Sequence, residues 1–459
     1  MKKAAALLLV FSLVFCLFSC SADGNNGFTT ELTEKLAQTV SSTLENTTDE
    51  DQSFYTGFCQ TEPNDTSNIY ATQNHNHEGL SGTPTVAAVT AADFGFKMLR
   101  NTLNQQTNAL ISPVSIISAL GMTANGAKGK TLEEMESVLG TSVETLNKNF
   151  HADRFSGDGV NTANSIWFKN AAKNDLTLND TFVNTVQDAY GAEWYGKKFD
   201  KSTVGDINRW VSQHTDGMIN NMLSEIPPEA VIYLINTVMF DAEWEYPYST
   251  SDVHENRVFT AENGKEQKVT MLTHRTNTWM KFGLGKAQGI VKRYKNGYSL
   301  AAILPLEGVS INAALASFTG NDFVKAVTPT AIDPTCGTGL YPVDVSLPKF
   351  ETECKFRLSD TLIGMGMPTA FSAKEADFSG IGKSHIGNIF IGEVYHNTYI
   401  KLDELGTKAG AATAVEAAAT GIAEEPFGLT TMEFNRPFIY VIYETDSGTP
   451  LFMGTVREF

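Results

Sequence analysis

Cysteine is scarce in this chain of 459 residues, which has five: Cys16, Cys20, Cys59, Cys336 and Cys354. The first two sit in the N-terminal leader. The remaining odd number, irregularly spaced, does not make a disulfide framework. No C-x-x-C is present to hold zinc. Cys336 and Cys354 could pair, a point their spacing leaves open. Positive charge is also in the minority, with 34 Lys and Arg against 52 Asp and Glu, a formal charge of -18, and no basic block. That balance argues against nucleic acid, an anionic membrane surface or a heparin-like polyanion as partner.

Catalytic motifs are missing as well. There is no HExxH, GxSxG or Walker loop, and the eight histidines show no ligand spacing. "GLGKAQG" at 283–289 has no apolar strand before it and no helical pattern after it, so it does not read as a dinucleotide loop. "HNHE" at 75–78 lies in a polar stretch and reads as a fortuitous cluster. The pair Glu424 and Glu425 reads as solvated surface. Neither an enzyme nor a metal or other cofactor is expected.

No apolar run is long enough to span a bilayer: the one at the N-terminus, from Ala4 to Phe18, is too short and follows Lys2 and Lys3. It ends in Leu17-Phe18-Ser19-Cys20, which resembles a bacterial lipobox. Residues 1–19 would then be a lipoprotein signal peptide and Cys20 the lipidated first residue. An ordinary cleaved secretory signal with an incidental cysteine is the alternative. Either way the protein is expected to leave the cytoplasm, lipid-anchored at the outer membrane or cell surface and facing the periplasm or the exterior. The membrane would be touched only through the lipid. Residues 20–85, rich in Asn, Thr, Ser and Asp, read as a disordered polar tether.

From residue 86 the texture becomes globular, and the whole chain is 42% hydrophobic and 19% charged, enough to bury a sizeable core. "AADFGFKMLRNTL" puts Phe94, Met98 and Leu99 on one helical face. "GKTLEEMESVLG" predicts a helix opened by a capping box of Thr131 and Glu134 and closed by Gly140. "GDINRWVSQHTDGMINNML" predicts a further helix with Ile207, Trp210 and Val211 on its apolar stripe. Strand-like runs dominate the second half, among them "AVIYLINTVMF", "SLAAILPL", "VDVSLPKF", "NIFIGEVYHNTYIKL" and "RPFIYVIYE". With no repeats and no βαβ alternation, the pattern predicts an α+β domain on large, mainly antiparallel sheets.

One segment fits neither class. "GTKAGAATAVEAAATG", 406–421, is almost all Ala, Gly and Thr. Stepping by two from Thr407 gives Ala409, Ala411, Thr413, Val415, Ala417 and Ala419, with no charge among them. Lys408 and Glu416 both fall on the other face. Such a segment could enter a sheet as a new strand, uncharged side inward, since an unpaired buried charge costs several kcal/mol. A flexible linker or a short Ala-rich helix is the alternative.

Many blocks from about Val86 to Phe459 are similar to the serpin family, and in family order. They include "NALISPVSIISALGMTANGAKGKTLEEM", "TANSIWF", "LINTVMFDAEW", "VSLPKF", "MGMPTAFSAKEADFSGI", "EVYHNTYIKLDELGTKAGAAT" and "FNRPFIYVIYETDSGTPLFMGTV". The resemblance implies the serpin fold, three β-sheets with eight or nine helices, in a domain spanning 86–459. It also implies an exposed C-terminal reactive loop at about 404–433. The implied activity is irreversible suicide-substrate inhibition of serine proteases by a monomer. The loop is cut once, inserts into the central sheet, and traps the protease in a covalent complex. Glu404, Gly406, Thr407, Ala409, Ala411 and Ala412 would form the hinge. Thr420 and Gly421 would flank the reactive bond, with Ala419–Thr420 and Gly421–Ile422 as alternatives. Ser112, Ser115, Asn236 and His396 match a hydrogen-bonded shutter beneath the sheet, and Trp244 the residue at the breach where the loop first enters. The absence of Arg, Lys and aromatic residues around Thr420 points to elastase-like or subtilisin-like targets. Papain-like cysteine proteases are an alternative target, and a non-inhibitory binding or carrier module an alternative role. Lys408 and Leu405 depart from the family's usual acidic or polar residues.

Overall fold

The structure, a computed structural model, describes residues 85–155, 157, 159–170, 176–226, 230, 232–328, 339–385, 387–407 and 430–459. All of them lie in one compact unit, Asn74–Phe459.

Nine α-helices occur among the described residues: α1 (Val86–Thr102), α2 (Pro113–Ala124), α3 (Gly129–Leu139), α4 (Val143–Asn149), α5 (Asp180–Tyr190), α6 (Lys201–His214), α7 (Ile311–Leu315), α8 (Gly320–Val327) and α9 (Ser359–Met365). Their starts follow local chemistry. Thr85 caps α1 by accepting from the Ala88 N–H, and Ser112 caps α2 by accepting from the Ser115 N–H, with Pro113 in the first turn. The buried face of α1 includes Phe94, Met98 and Leu99.

Two helical expectations need correction. Thr131 and Glu134 do not form a capping box, because α3 starts earlier, after Lys128. Both side chains are spent on tertiary contacts instead: Thr131 Oγ1 accepts from the Asp377 N–H, and Glu134 accepts from Thr369. Gly140 does end the helix in the left-handed region. The helix expected to run through "MINNML" stops at His214, because Asp216 (φ 45°) and Gly217 (φ 80°) turn the backbone left-handed. Asn208 on α6 then holds the following segment, accepting from the N–H groups of Met222 and Leu223 and donating to the Leu223 carbonyl.

The strands of the first half are β1 (Ala109–Ile111), β2 (Val160–Lys169), β3 (Leu176–Leu178), β4 (Glu193–Lys197), β5 (Ile232–Phe240) and β6 (Ala242–Glu243). The middle of the chain supplies β7 (Val253–Thr260), β8 (Glu266–Leu284), β9 (Ala287–Arg293), β10 (Tyr298–Pro305), β11 (Gly339–Pro348) and β12 (Phe350–Arg357). The last are β13 (Gly382–Ser384), β14 (Tyr395–Leu402), β15 (Gly406–Thr407), β16 (Thr430–Glu433), β17 (Phe438–Glu444) and β18 (Pro450–Val456). "NIFIGEV" contributes no strand; the expected run is strand only from Tyr395.

A nine-stranded sheet runs β1-β18-β17-β10-β9-β8-β11-β16, with β7 paired to β8. "GLGKAQG" is its β8–β9 hairpin. The remaining ladders are β12-β14-β15-β6, β4-β2-β5 and the short pair β13-β3. Among the described residues only β2–β4 and β11–β16 pair in parallel. β5 runs through Asp241 into β6, so one strand belongs to both the three- and four-stranded ladders. β12 alternates buried and exposed residues along its whole length, presenting Phe350, Thr352, Cys354 and Phe356 inward. The α6 stripe of Ile207, Trp210 and Val211 joins a separate apolar cluster with Trp167, Tyr233 and Ile235 of β2 and β5. Cys354 is a free, buried thiol that donates to the Asn108 carbonyl, and burial pushes its pKa up to about 12. Cys336 lies outside the described residues.

Candidate functional site

β14 and the two residues of β15 are joined by a tight reversal. Asp403 shapes it, its carboxylate accepting from the N–H groups of Leu405 (2.9 Å) and Gly406 (3.3 Å). The chain then re-enters the sheet as β15, between β14 on one side and β6 on the other. Thr407 is opposite both Leu402 and Ala242, and Gly406 is opposite Glu243. Only glycine fits at 406: a Cβ there would stand 2.1 Å from the Ala242 carbonyl oxygen. The Thr407 side chain points into the core, 1% exposed, and shares a 2.5 Å hydrogen bond with the Tyr294 hydroxyl.

A wall of aromatic residues backs this junction. Tyr294 stacks on Trp244, with centroids 4.2 Å apart and planes within 14°. Trp244 is fully buried and holds the reversal from outside. Its backbone N–H donates to the Leu405 carbonyl (2.8 Å), its indole N–H to that of Asp403 (2.9 Å), and the Tyr248 N–H to that of Glu404 (2.9 Å). Glu404 turns outward to an ion pair with Lys349 at 2.5 Å. Partial burial opposes the charge on Glu404, yet Lys349 and the backbone hold its carboxyl below the ordinary value.

Beyond β15 the sheet opens. Among the described residues no ladder joins β5 to β14. Between them is a cavity of about 300 Å³ whose lining includes Ser115, Leu223, Ile235, Asn236, Tyr395 and His396. Helix α2 packs beneath, against β5. The Ser112 N–H donates to His396 Nε2 at 2.9 Å, which sets the neutral tautomer with its proton on Nδ1. Full burial drives the imidazole pKa down to about 3, so the ring stays neutral. Asn236 donates to Asn164 Oδ1 (2.7 Å), and Asn164 donates to the Tyr190 carbonyl (2.7 Å). The Asn236 side-chain oxygen, Oδ1, and the Tyr190 hydroxyl are both buried without a hydrogen-bond partner.

Of the residues singled out from the sequence, the structure gathers Glu404, Gly406, Thr407 and Trp244 at the closed end. It gathers Ser112, Ser115, Asn236 and His396 at the open gap. Ala409, Ala411, Ala412, Thr420, Gly421 and Cys20 lie outside the described residues. Sequence reasoning passed over Asp403, Tyr248, Tyr294 and Lys349. Lys349 and Asp403 stand inside blocks already quoted, but nothing local distinguishes a partner of the 403–406 reversal from surface charge. The two tyrosines carry no signal beyond strand propensity.

Residues 89–459 match the family model Serpin, described as serine protease inhibitor. Serine protease inhibitor A3K of Mus musculus is 28% identical over 404 residues, 84% of this chain and 91% of that protein. An uncharacterized serpin-like protein of Thermococcus kodakarensis is 29% identical over 390 residues, 82% of this chain and 86% of its own length. Among solved structures, the thermophilic serpin tengpin in its native state is 40% identical, with a TM-score of 0.73 over 83% of this chain and 97% of tengpin. Thyroxine-binding globulin in complex with thyroxine shares the fold at 22% identity, with a TM-score of 0.68 over 81% of this chain and 98% of its own. The chain belongs to the serpin family, whose members are generally serine-protease inhibitors that form complexes with their targets rather than catalytic enzymes.

Proposed function

We propose that this chain irreversibly inhibits serine proteases that prefer small residues, elastase-like or subtilisin-like, by inserting its cut loop between β14 and β5. One observation carries the reading. Gly406 and Thr407 already form a strand wedged antiparallel between β14 and β6, and that register, if continued, would run between β14 and β5, which share no ladder among the described residues. Thr407 faces the core, and a strand alternates with a period of two. Ala409, Ala411, Thr413 and Val415 would therefore follow it inward, while Lys408 and Glu416 would face water.

In the proposed sequence of events the protease serine oxygen attacks the Thr420 carbonyl. The Thr420–Gly421 peptide bond breaks, and the Gly421 nitrogen takes the proton given up by the serine hydroxyl and leaves as a free amine. The new ester tethers Thr420 to the protease until water cleaves it. Insertion removes the ester from the protease's working geometry before that happens. New ladder hydrogen bonds, each worth a net of about 1 kcal/mol, and burial of the small residues drive it. The gap residues Ser112, Ser115, Asn236 and His396 would act as the shutter, and Trp244 as the breach. The reading is supported by tengpin, 39–40% identical, having been solved in two states, native and latent. Lipidation at Cys20, with display at the cell surface or in the periplasm, belongs to the same proposal.

The test is incubation with pancreatic elastase and with subtilisin, followed by a denaturing gel. A band heavier than either partner that survives denaturation supports trapping. A clipped chain with undiminished protease activity supports a carrier or binding role instead.

A further inference from the structure

Lys292 is a cationic side chain enclosed in an aromatic setting. It lies near the end of β9, is 5% exposed, and follows the buried Ile290 and Val291. Its ammonium donates to the Tyr246 carbonyl at 2.9 Å. It stands 4.2 Å from the Tyr248 ring centroid and 5.1 Å from that of Trp244. These contacts to Tyr246, Tyr248 and Trp244 fall in residues 244–248, the segment whose N–H groups hold the carbonyls of Asp403, Glu404 and Leu405. Lys292 thus grips from within the segment that grips the hinge from without.

A buried ammonium is a costly means of doing so, since an unbranched apolar side chain fills similar space with no charge to desolvate. We propose that Lys292 is a positioning residue for loop entry: it aligns the 244–248 segment on the hinge while making that closure reversible. Any opening of the segment returns the amine to water. This inference rests on the insertion reading given above.

Several groups among the described residues face the amine. They are Tyr248 and Glu245 of the gripping segment, Asp252 of the following turn and His274 of β8; Arg293, next in β9, pairs with Glu245. Burial lowers the Lys292 ammonium to about 7, against the opposing pull of Asp252 and Glu245. In water its ordinary value is 10.5. Between those values an opened or unfolded molecule holds a proton that the closed one lacks. Raising the pH through that window therefore strengthens closure.

The test compares the full-length protein with Lys292→Met, with no protease present. Hydrogen exchange at the Trp244 and Tyr248 amides, read at about pH 7, should slow by about tenfold or more in the variant. The unfolding temperature of the parent should rise more steeply than the variant's between about pH 7 and pH 10. Lys292→Gln, polar but uncharged, serves the same comparison should the Met variant fail to fold. Exchange that is unchanged or faster, or pH profiles that coincide, overturns the proposal. A parent that traps no protease but passes both measurements sinks the inhibitor reading alone. One that traps but fails them sinks only the role of Lys292.

Discussion

The two ends of the seam between β5–β6 and β14 differ in what they leave unsatisfied. At the β6–β15 end the junction is packed shut: Thr407 has Tyr294, Gly406 passes against the Ala242 carbonyl, and the reversal at 403–405 is held by Trp244 and Tyr248. At the β5 end there is a cavity of about 300 Å³, two strand edges without a shared ladder, and an Asn236 oxygen with no hydrogen-bond partner. Unmade ladder bonds and an orphaned buried polar atom each cost on the order of 1–3 kcal/mol. The closed end has its own orphan, the Tyr248 hydroxyl, so what sets the open end apart is the cavity and the missing ladder, where a new strand can form bonds. The contrast supplies a direction: a strand that starts at Thr407 gains most by extending away from it.

The largest effect should come from charging the inward face. Thr407→Arg would place an unpaired cation where Thr407 is 1% exposed. Its cost of about 3–5 kcal/mol is met in the native fold, where Thr407 is already docked; undocking to avoid it would free the residue from which insertion starts and cut the trapping rate by more than about a hundredfold. Lys408→Glu, on the other face, should leave trapping within a few fold. Rates of protease inactivation for both variants measure the asymmetry; equal losses would erase it.

Next comes the pH response of the open end. His396 is neutral in the fold, with a pKa lowered from 6.5 to about 3. Its contribution is complete above 6.5 and is lost as the pH falls toward 3, because the unfolded chain takes up a proton that the folded one refuses. The expected slope is about 1.4 kcal/mol per pH unit in that window, added to whatever the carboxylates contribute. His396→Gln can still accept from the Ser112 N–H but does not titrate. Denaturant melts at pH 6.5 and pH 4.5 should show a shallower fall for the variant, and parallel falls would remove His396 from the account.

Gly406→Ala tests the closed end alone. The added Cβ meets backbone rather than a yielding side chain. The strand must move away from β6, at about 1–3 kcal/mol. A drop in unfolding temperature without a change in the pH slope set by His396 would show that the two ends are energetically separate.

What could be read from the amino acids was whatever repeats at short range. The apolar stripe of α6 follows a 3.6-residue period, and its Ile207, Trp210 and Val211 are buried together. Blocks such as "VSLPKF" and "LINTVMF" placed the strands through their composition. Three kinds of feature escaped. Local signals were overruled by tertiary partners, as when Thr131 and Glu134 turned from a capping box to Asp377 and Thr369. The end of α6 depended on the left-handed backbone at Asp216 and Gly217, within a pattern that stayed amphipathic beyond it. Contacts between distant segments had no trace at all: Tyr294 on Thr407, Lys349 on Glu404, and Lys292 beneath Trp244 are matched only once the sheets assemble. The division of the central sheet into ladders sharing the β5–β6 strand is of the same kind, since strand propensity is indifferent to whether an edge finds a neighbour.

The smallest effect concerns the rim of the closed end. Glu404 and Lys349 pair at 2.5 Å, but each side chain is about a third exposed, 36% and 32%. Water and salt screen such a pair, and its net worth is about 0–1 kcal/mol. Glu404→Gln should therefore lower the unfolding temperature slightly at low ionic strength and leave no difference at about 1 M salt, where the screening length is near 3 Å. The backbone bond from Tyr248 to the Glu404 carbonyl survives the change, so the reversal at 403–405 stays docked. Should Glu404→Gln prove as damaging as Thr407→Arg, the closed end would owe its grip to surface charge. The buried contacts of Thr407 and Gly406 would then be bystanders.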